Sequence, residues 1–218
     1  MNVPSQEHPV QTEAYKQIEF SPDSQHCAWI DGDIVCVANM KSNGEKPQEF
    51  KMPGLANCLA WSRDTKRLIV GGDFEHMEVL DLPEGTQSRN FASGNFVVAA
   101  TYSLDGRTVI AGDQEGALRF WSRDGQLSHG TRLHKTEIVS LALSHDGRIG
   151  ASVDRTGGVA FWYVESGDEI GMVIPPSMTM GRRFNPAIAF TKNDAAFRLV
   201  VEQADSSLAL RTFDLRQR

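Results

Sequence analysis

Cysteine is scarce in this sequence: three residues in 218, Cys27, Cys36 and Cys58, with no CxxC pair among them. An odd count without paired spacing argues against a disulfide framework. Each cysteine sits within an expected strand, where a free thiol packs as a small hydrophobe. Basic charge is in deficit as well. With 22 Lys and Arg against 28 Asp and Glu, the net charge is −6, and no overall basic field recruits nucleic acid or anionic lipid. Apolar runs such as Phe96 to Ala100 fall far short of the roughly 20 residues that span a bilayer. The N-terminal stretch MNVPSQEHPVQTE has neither the basic nor the apolar region of a secretory signal, and no N-x-S/T sequon occurs. A soluble protein of the reducing cytoplasm is the expectation. Nucleophile-elbow and phosphate-cradling glycine motifs are missing too. The six histidines lie in separate parts of the chain without metal-like spacing, so neither a metal nor a cofactor is expected. No segment keeps a helical period over the 10 to 12 residues that a helix needs.

What is present is a repeat. An aromatic residue or leucine, then Ser or Thr, then a polar turn recurs at Phe20-Ser21, Trp61-Ser62, Tyr102-Ser103, Leu143-Ser144 and Phe190-Thr191. The lead positions 20, 61, 102, 143 and 190 are separated by 41, 41, 41 and 47 residues. Each anchor closes an apolar segment (IEF, CLAW, VVAATY, VSLAL, AIAF). Beyond the turn comes a second segment (HCAWI, RLIVGG, TVIAG, IGASV, FRLVV), and then a third (DIVCVA, HMEVLDL, ALRFW, GVAFWYV, LALRTFD). More polar fourth strands are read at Gln48 to Met52, Ser88 to Ala92 and Glu169 to Ile174. Many of these segments are apolar at successive positions, so both sheet faces need cover, as when small sheets stack. Regular strands, polar turns and no helix predict an all-β repeat protein.

A unit of about 40 residues with four strands, an S-x-D turn and a third strand ending in Trp121 or Trp162 resembles the WD-repeat β-propeller family. The resemblance runs from Lys16 to the C-terminus. Its signature pairs are degenerate: Leu133-His134 stands for Gly-His, and Trp121-Ser122, Trp162-Tyr163, Leu80-Asp81 and Phe213-Asp214 stand for Trp-Asp. It implies about five four-stranded blades over residues 15–218, closed on themselves or part of a larger ring. Residues 1–14 are then a segment available to complete the last blade. The family's structural hydrogen-bond network maps onto His134, Ser152 and Trp162. The Asp expected six residues before the Trp is Thr156, and Asp154 lies two residues too early, which predicts a partial network.

In this architecture the loops from fourth to first strands share a face with the turns between second and third strands. That register places His134, Lys135, Arg155, Arg182 and Arg183 on one side of the face, and Asp73, Glu75, Asp113 and Glu115 on another. Six extra residues fall between Trp162 and Phe190, in the excursion from Pro175 to Phe184 with Met178 and Met180. Met and Arg suit a protein interface. The resemblance therefore implies a non-catalytic interaction scaffold, with Lys135, Arg155, Met178, Met180, Arg182, Arg183 and Phe184 as candidates for contacting a protein or peptide partner. An acidic or phosphorylated segment suits the arginines. Nucleic acid and membrane are not expected partners, and oligomers are expected if the ring is incomplete. The alternative is a five-bladed glycoside hydrolase with channel carboxylates drawn from Glu13, Glu19 and Glu137. Ser144-His145-Asp146 carries the residue types of a hydrolase triad but reads as a turn, since three consecutive residues cannot line up as nucleophile, base and orienter.

Overall fold

The computed structural model describes residues 17–42, 44–82, 84–173, 186–192, 194, 196–202 and 208–214. Those residues form nineteen strands and no helix. The first sheet is β1 (Ile18–Phe20), β2 (His26–Asp31), β3 (Ile34–Asn39) and β4 (Gln48–Lys51). The second is β5 (Ala56–Trp61), β6 (Arg67–Gly72), β7 (His76–Asp81) and β8 (Thr86–Ala92). The third is β9 (Val97–Tyr102), β10 (Thr108–Asp113), β11 (Ala117–Ser122) and β12 (Leu127–Arg132). The fourth is β13 (Ile138–Leu143), β14 (Ile149–Asp154), β15 (Val159–Tyr163) and β16 (Glu169–Val173). The fifth has three described strands, β17 (Ala187–Phe190), β18 (Ala196–Glu202) and β19 (Leu208–Asp214). Within every sheet the strands follow chain order and pair antiparallel. These are the blades of a β-propeller, as the repeat predicts.

Consecutive blades stack through alternating side chains. Ala28, Ile30, Val35 and Val37 of the first meet Leu59, Trp61, Leu68, Val70 and Leu80 of the second in one apolar cluster. The opposite face of the second blade, with Ile69, Met77, Val79 and Phe91, meets Tyr102, Val109, Ala111 and Trp121. Phe120 packs edge-on against Trp162 between the third and fourth blades, and Phe161 against Phe197 between the fourth and fifth. Double burial is why these strands are apolar at successive positions. Among the described residues, the extensive contacts between sheets all join consecutive blades, chiefly through the first strands β1, β5, β9, β13 and β17.

The anchor serines have one job in four blades. Ser21, Ser62, Ser103 and Ser144 are buried, and each hydroxyl donates to the Asp two residues on (Asp23, Asp64, Asp105, Asp146) at 2.6 to 2.7 Å. Each Ser Oγ also accepts the backbone N–H five residues on, at His26, Arg67, Thr108 and Ile149. The Asp in turn accepts the N–H two residues further along, from Gln25, Lys66, Arg107 and Arg148. In the fifth blade Thr191 Oγ1 donates to the Ala196 carbonyl at 2.9 Å. The fourth residue of the turn has positive φ in every blade: Ser24, Thr65, Gly106, Gly147 and Asp194. Ser144-His145-Asp146 is one of these turns. In it the Asp194 carboxylate accepts from the His145 ring and backbone and so ties the fourth blade to the fifth.

The Ser62 hydroxyl holds the Asp64 carboxyl down to about 2, against the cost of its partial burial and with help from Lys66 N–H and Arg123. The hydroxyls of Ser21, Ser103 and Ser144 lower Asp23, Asp105 and Asp146 in the same way. A depressed carboxylate contributes stability that is present above its unfolded pKa of about 3.9 and lost as pH falls through its folded value. Stability is therefore expected to hold above about pH 5 and to fall steeply from pH 4 toward 2. Ser62→Ala strands the Arg67 N–H, so it is expected to cost about 1–3 kcal/mol near neutrality and to make the acid decline shallower. Urea denaturation across that pH range checks both.

Candidate functional site

One end of the blades carries the loops between consecutive sheets together with the turns between second and third strands, and backbone hydrogen bonds sew the two sets together. Asp73 N donates to Leu55 O at 2.8 Å, Gln114 N to Phe96 O at 3.1 Å and Arg155 N to Glu137 O at 2.9 Å. Ser93 N donates to Glu75 O and His134 N to Gly116 O. Leu55, Phe96 and Glu137 are thus equivalent positions, each immediately before a first strand. The face is a set of cross-braced loops on stacked sheets, the usual setting for binding groups.

The fourth blade braces this end most completely. His134 Nε2 lies 2.8 Å from Ser152 Oγ, His134 Nδ1 lies 3.2 Å from Asp154 Oδ2, and Trp162 Nε1 donates to Ser152 Oγ at 3.3 Å. A single proton arrangement satisfies the set: Nδ1–H donates to Asp154, and the Ser152 hydroxyl donates to Nε2. Burial pushes the Asp154 carboxyl up, but bonds from His134, Thr156 and Gly158 outweigh it and leave the group below its ordinary value. So the network is not partial, because Asp154 supplies the fourth member from its earlier position. Gly150 is required beside it, since a Cβ there would lie 2.2 Å from the Trp162 ring.

The charged candidates are placed unevenly. Lys135 is exposed and has no ion pair among the described residues. Arg155 is exposed but tied to Glu137, with Nε donating to Oε2 at 2.6 Å and Nη2 to Oε1 at 3.0 Å. That carboxylate holds the guanidinium still more firmly protonated. On the acidic side Asp113 is buried and caps its own turn, accepting from Glu115 N, Ala117 N and Arg119. Glu115 pairs with Arg132 at 2.5 Å and Asp73 with Asn57 at 2.6 Å, while Glu75 is exposed. Met178, Met180, Arg182, Arg183 and Phe184 lie outside the described residues, as do Glu13 and residues 1–14. Two exposed apolar side chains belong to the face but were not singled out from the sequence: Leu55 at 48% and Phe96 at 39% exposure. The 41-residue step from 55 to 96 to 137 was the signal that could have found them.

A cavity of about 980 Å3 runs from the first strands toward the Ser–Asp turns, lined by Gln17, Glu19, Asn57, Thr101, Ser140 and Ala187 among others. Burial raises the Glu19 carboxyl, partly offset by the Gln17 amide, which donates to it at 2.7 Å. Glu137 is engaged by Arg155, and of Glu19 and Glu137 it is Glu19 that lines this space. Burial also pushes the Cys36 thiol to about 11 and the Cys58 thiol to about 12, too high for a ready thiolate at neutral pH.

Fold and face together define a β-propeller with a braced loop surface. No family model matches the chain. It is similar to the SIR4-interacting protein SIF2 of Saccharomyces cerevisiae, 33% identical over 173 residues that cover 74% of this chain and 31% of the relative. The chain thus spans about a third of the length of the curated relative it matches.

His134→Ala removes the centre of a buried polar set and strands Asp154. It is expected to cost roughly 2–4 kcal/mol in a urea melt. Asp154→Asn, which keeps an acceptor oxygen, should cost less.

Proposed function

We propose that this chain is a WD-repeat-like, non-catalytic scaffold that holds a protein or peptide segment on its braced loop face. The observation that carries the reading is the pairing of exposed Leu55 and Phe96 with exposed Lys135 on backbone already fixed by cross-loop hydrogen bonds. Such a surface orders few groups on binding, so little of the contact energy is spent on rigidifying it. Likeness to a protein named for interacting with another protein supports the same class. The segment we favour is acidic or phosphorylated with an apolar residue nearby: Lys135, Arg182 and Arg183 meet the charge, and Leu55, Phe96, Met178, Met180 and Phe184 meet the apolar group. Arg155 serves mainly to fix its loop through Glu137. Three free thiols suit a reducing compartment such as the cytoplasm.

The test is affinity capture from lysate, read by mass spectrometry, with three proteins side by side. They are the native chain, Lys135→Glu with Arg182→Glu and Arg183→Glu, and Leu55→Ser with Phe96→Ser, each first shown to melt like the native chain. A partner held by the native chain and lost from both variants is the expected result. Retention by both variants would move the binding surface elsewhere, and glycoside hydrolysis abolished by Glu19→Gln would replace the scaffold reading with the hydrolase.

A further inference from the structure

Exposed Leu55 and Phe96 stand at equivalent positions on neighbouring loops, and an acidic turn lies on either side of each. The Leu55 loop is bonded on one side to the first blade's turn, with Ala56 N donating to Gly32 O at 3.0 Å. On the other side it meets the second blade's turn, where Asp73 N donates to Leu55 O at 2.8 Å. The Phe96 loop lies between that second turn, where Ser93 N donates to Glu75 O at 2.9 Å, and the third, where Gln114 N donates to Phe96 O at 3.1 Å. Contact is close. A Cβ at Gly54 would lie 2.7 Å from Asp73 O, and one at Gly72 would lie 2.2 Å from Leu55 O. Turn and loop therefore alternate across three blades as a fixed strip, with Leu55 and Phe96 set among Asp31, Asp73, Glu75 and Glu115.

The charge of this strip is one-sided. Lys51, Arg119 and Arg132 reach it from the same blades, and each is already paired, with Asp33, Asp113 and Glu115 in turn. Asp31, Asp73 and Glu75 are exposed and have no ion pair among the described residues, Asp73 accepting from the neutral Asn57 amide. His76, also exposed, follows Glu75 at the start of β7. Lys135 comes only with the next loop, where His134 N donates to Gly116 O. A segment that covered Leu55 and Phe96 with acidic side chains would meet like charge, and a purely apolar one would take carboxylates out of water unpaired. Lysine and arginine fit instead. Their apolar stems lie along leucine and phenylalanine while their heads reach the carboxylates, and a guanidinium also stacks on a phenylalanine ring.

We propose that the loop face of the first three blades holds a basic stretch of a protein segment, with apolar side chains on Leu55 and Phe96 and lysine or arginine at Asp31, Asp73 and Glu75. This rests on the loop face as the binding surface and adds the charge order of what binds there. The acidic part of the segment lies over Lys135, and the basic, apolar part lies over the strip.

Fluorescence anisotropy with two labelled probes tests it: a Gly-Ser peptide carrying leucine and arginine, and its counterpart with glutamate in place of arginine. Salt is held at about 50 mM, where charge attraction is weakly screened. The arginine peptide is expected to bind the native chain about tenfold more tightly than the glutamate peptide. Asp31→Asn with Asp73→Asn and Glu75→Gln should remove that preference, and Leu55→Ser with Phe96→Ser should weaken the arginine peptide, each variant first shown to melt like the native chain. Asp124→Asn with Glu165→Gln neutralises exposed carboxylates at the opposite end and should leave binding unchanged. Equal or tighter binding of the glutamate peptide overturns the proposal, as does a chain that binds neither. An equal loss in the Asp124 and Glu165 variant overturns it too, since that marks general attraction to an acidic protein. If the Leu55 and Phe96 exchange weakens binding but the neutralised carboxylates do not, the loop face stands and the basic stretch falls. If neither exchange matters, the loop face falls with it.

Discussion

Stacking of sheet on sheet is the constraint from which the other features follow. A four-stranded antiparallel sheet buries one face easily, but a sheet between two others must be apolar on both, and the second and third strands of this chain are. Such strands have no polar side to set their register. The Ser–Asp turns supply it. By bonding the N–H at which the second strand begins, the buried serine fixes which residue starts the strand, and so which side chains face each neighbour. Apolar contact provides the driving force, and a polar turn provides the alignment.

The same arrangement makes the opposite end suitable for recognition. Loops joining consecutive blades are bonded to turns of the blades on either side, so the surface is held by the stack and does not depend on its own side chains for rigidity. In the fourth blade the bracing extends inward through His134, Ser152, Asp154 and Trp162. Several charges that look available in the linear chain are spent on this framework: Asp113 and Asp154 cap turns, and Glu137 and Arg155 hold each other. Leu55, Glu75, Phe96 and Lys135 remain exposed on this face.

Much of the fold was legible because anchor, turn and third-strand residues recur at one spacing, and each has a single physical role in every blade. Fourth strands were harder. β12, Leu-Ser-His-Gly-Thr-Arg, lies at the outer margin of its sheet, half in water, and carries little apolar pattern. The polar network was misjudged for a different reason. Asp154 stands eight residues before Trp162, as Asp113 stands before Trp121, and one oxygen caps the turn that follows β14 while the other reaches His134. Distance along the chain from the Trp therefore did not reveal which carboxylate the His would meet. Which charges are free was not legible either, since Glu137 and Arg155 lie 18 residues apart and meet only once β13 and β14 are paired.

Among the described residues every strand pairs with the one before or after it, and every blade rests on its chain neighbours. Such a molecule is close to a one-dimensional array, in which cooperativity passes from unit to unit through shared interfaces. The second, third and fourth blades each have two such interfaces, whereas the first and fifth each have one among the described residues. Amide hydrogens of the central blades therefore exchange by the rarest openings, while the terminal blades fray at lower free energy and set the order in which the structure comes apart.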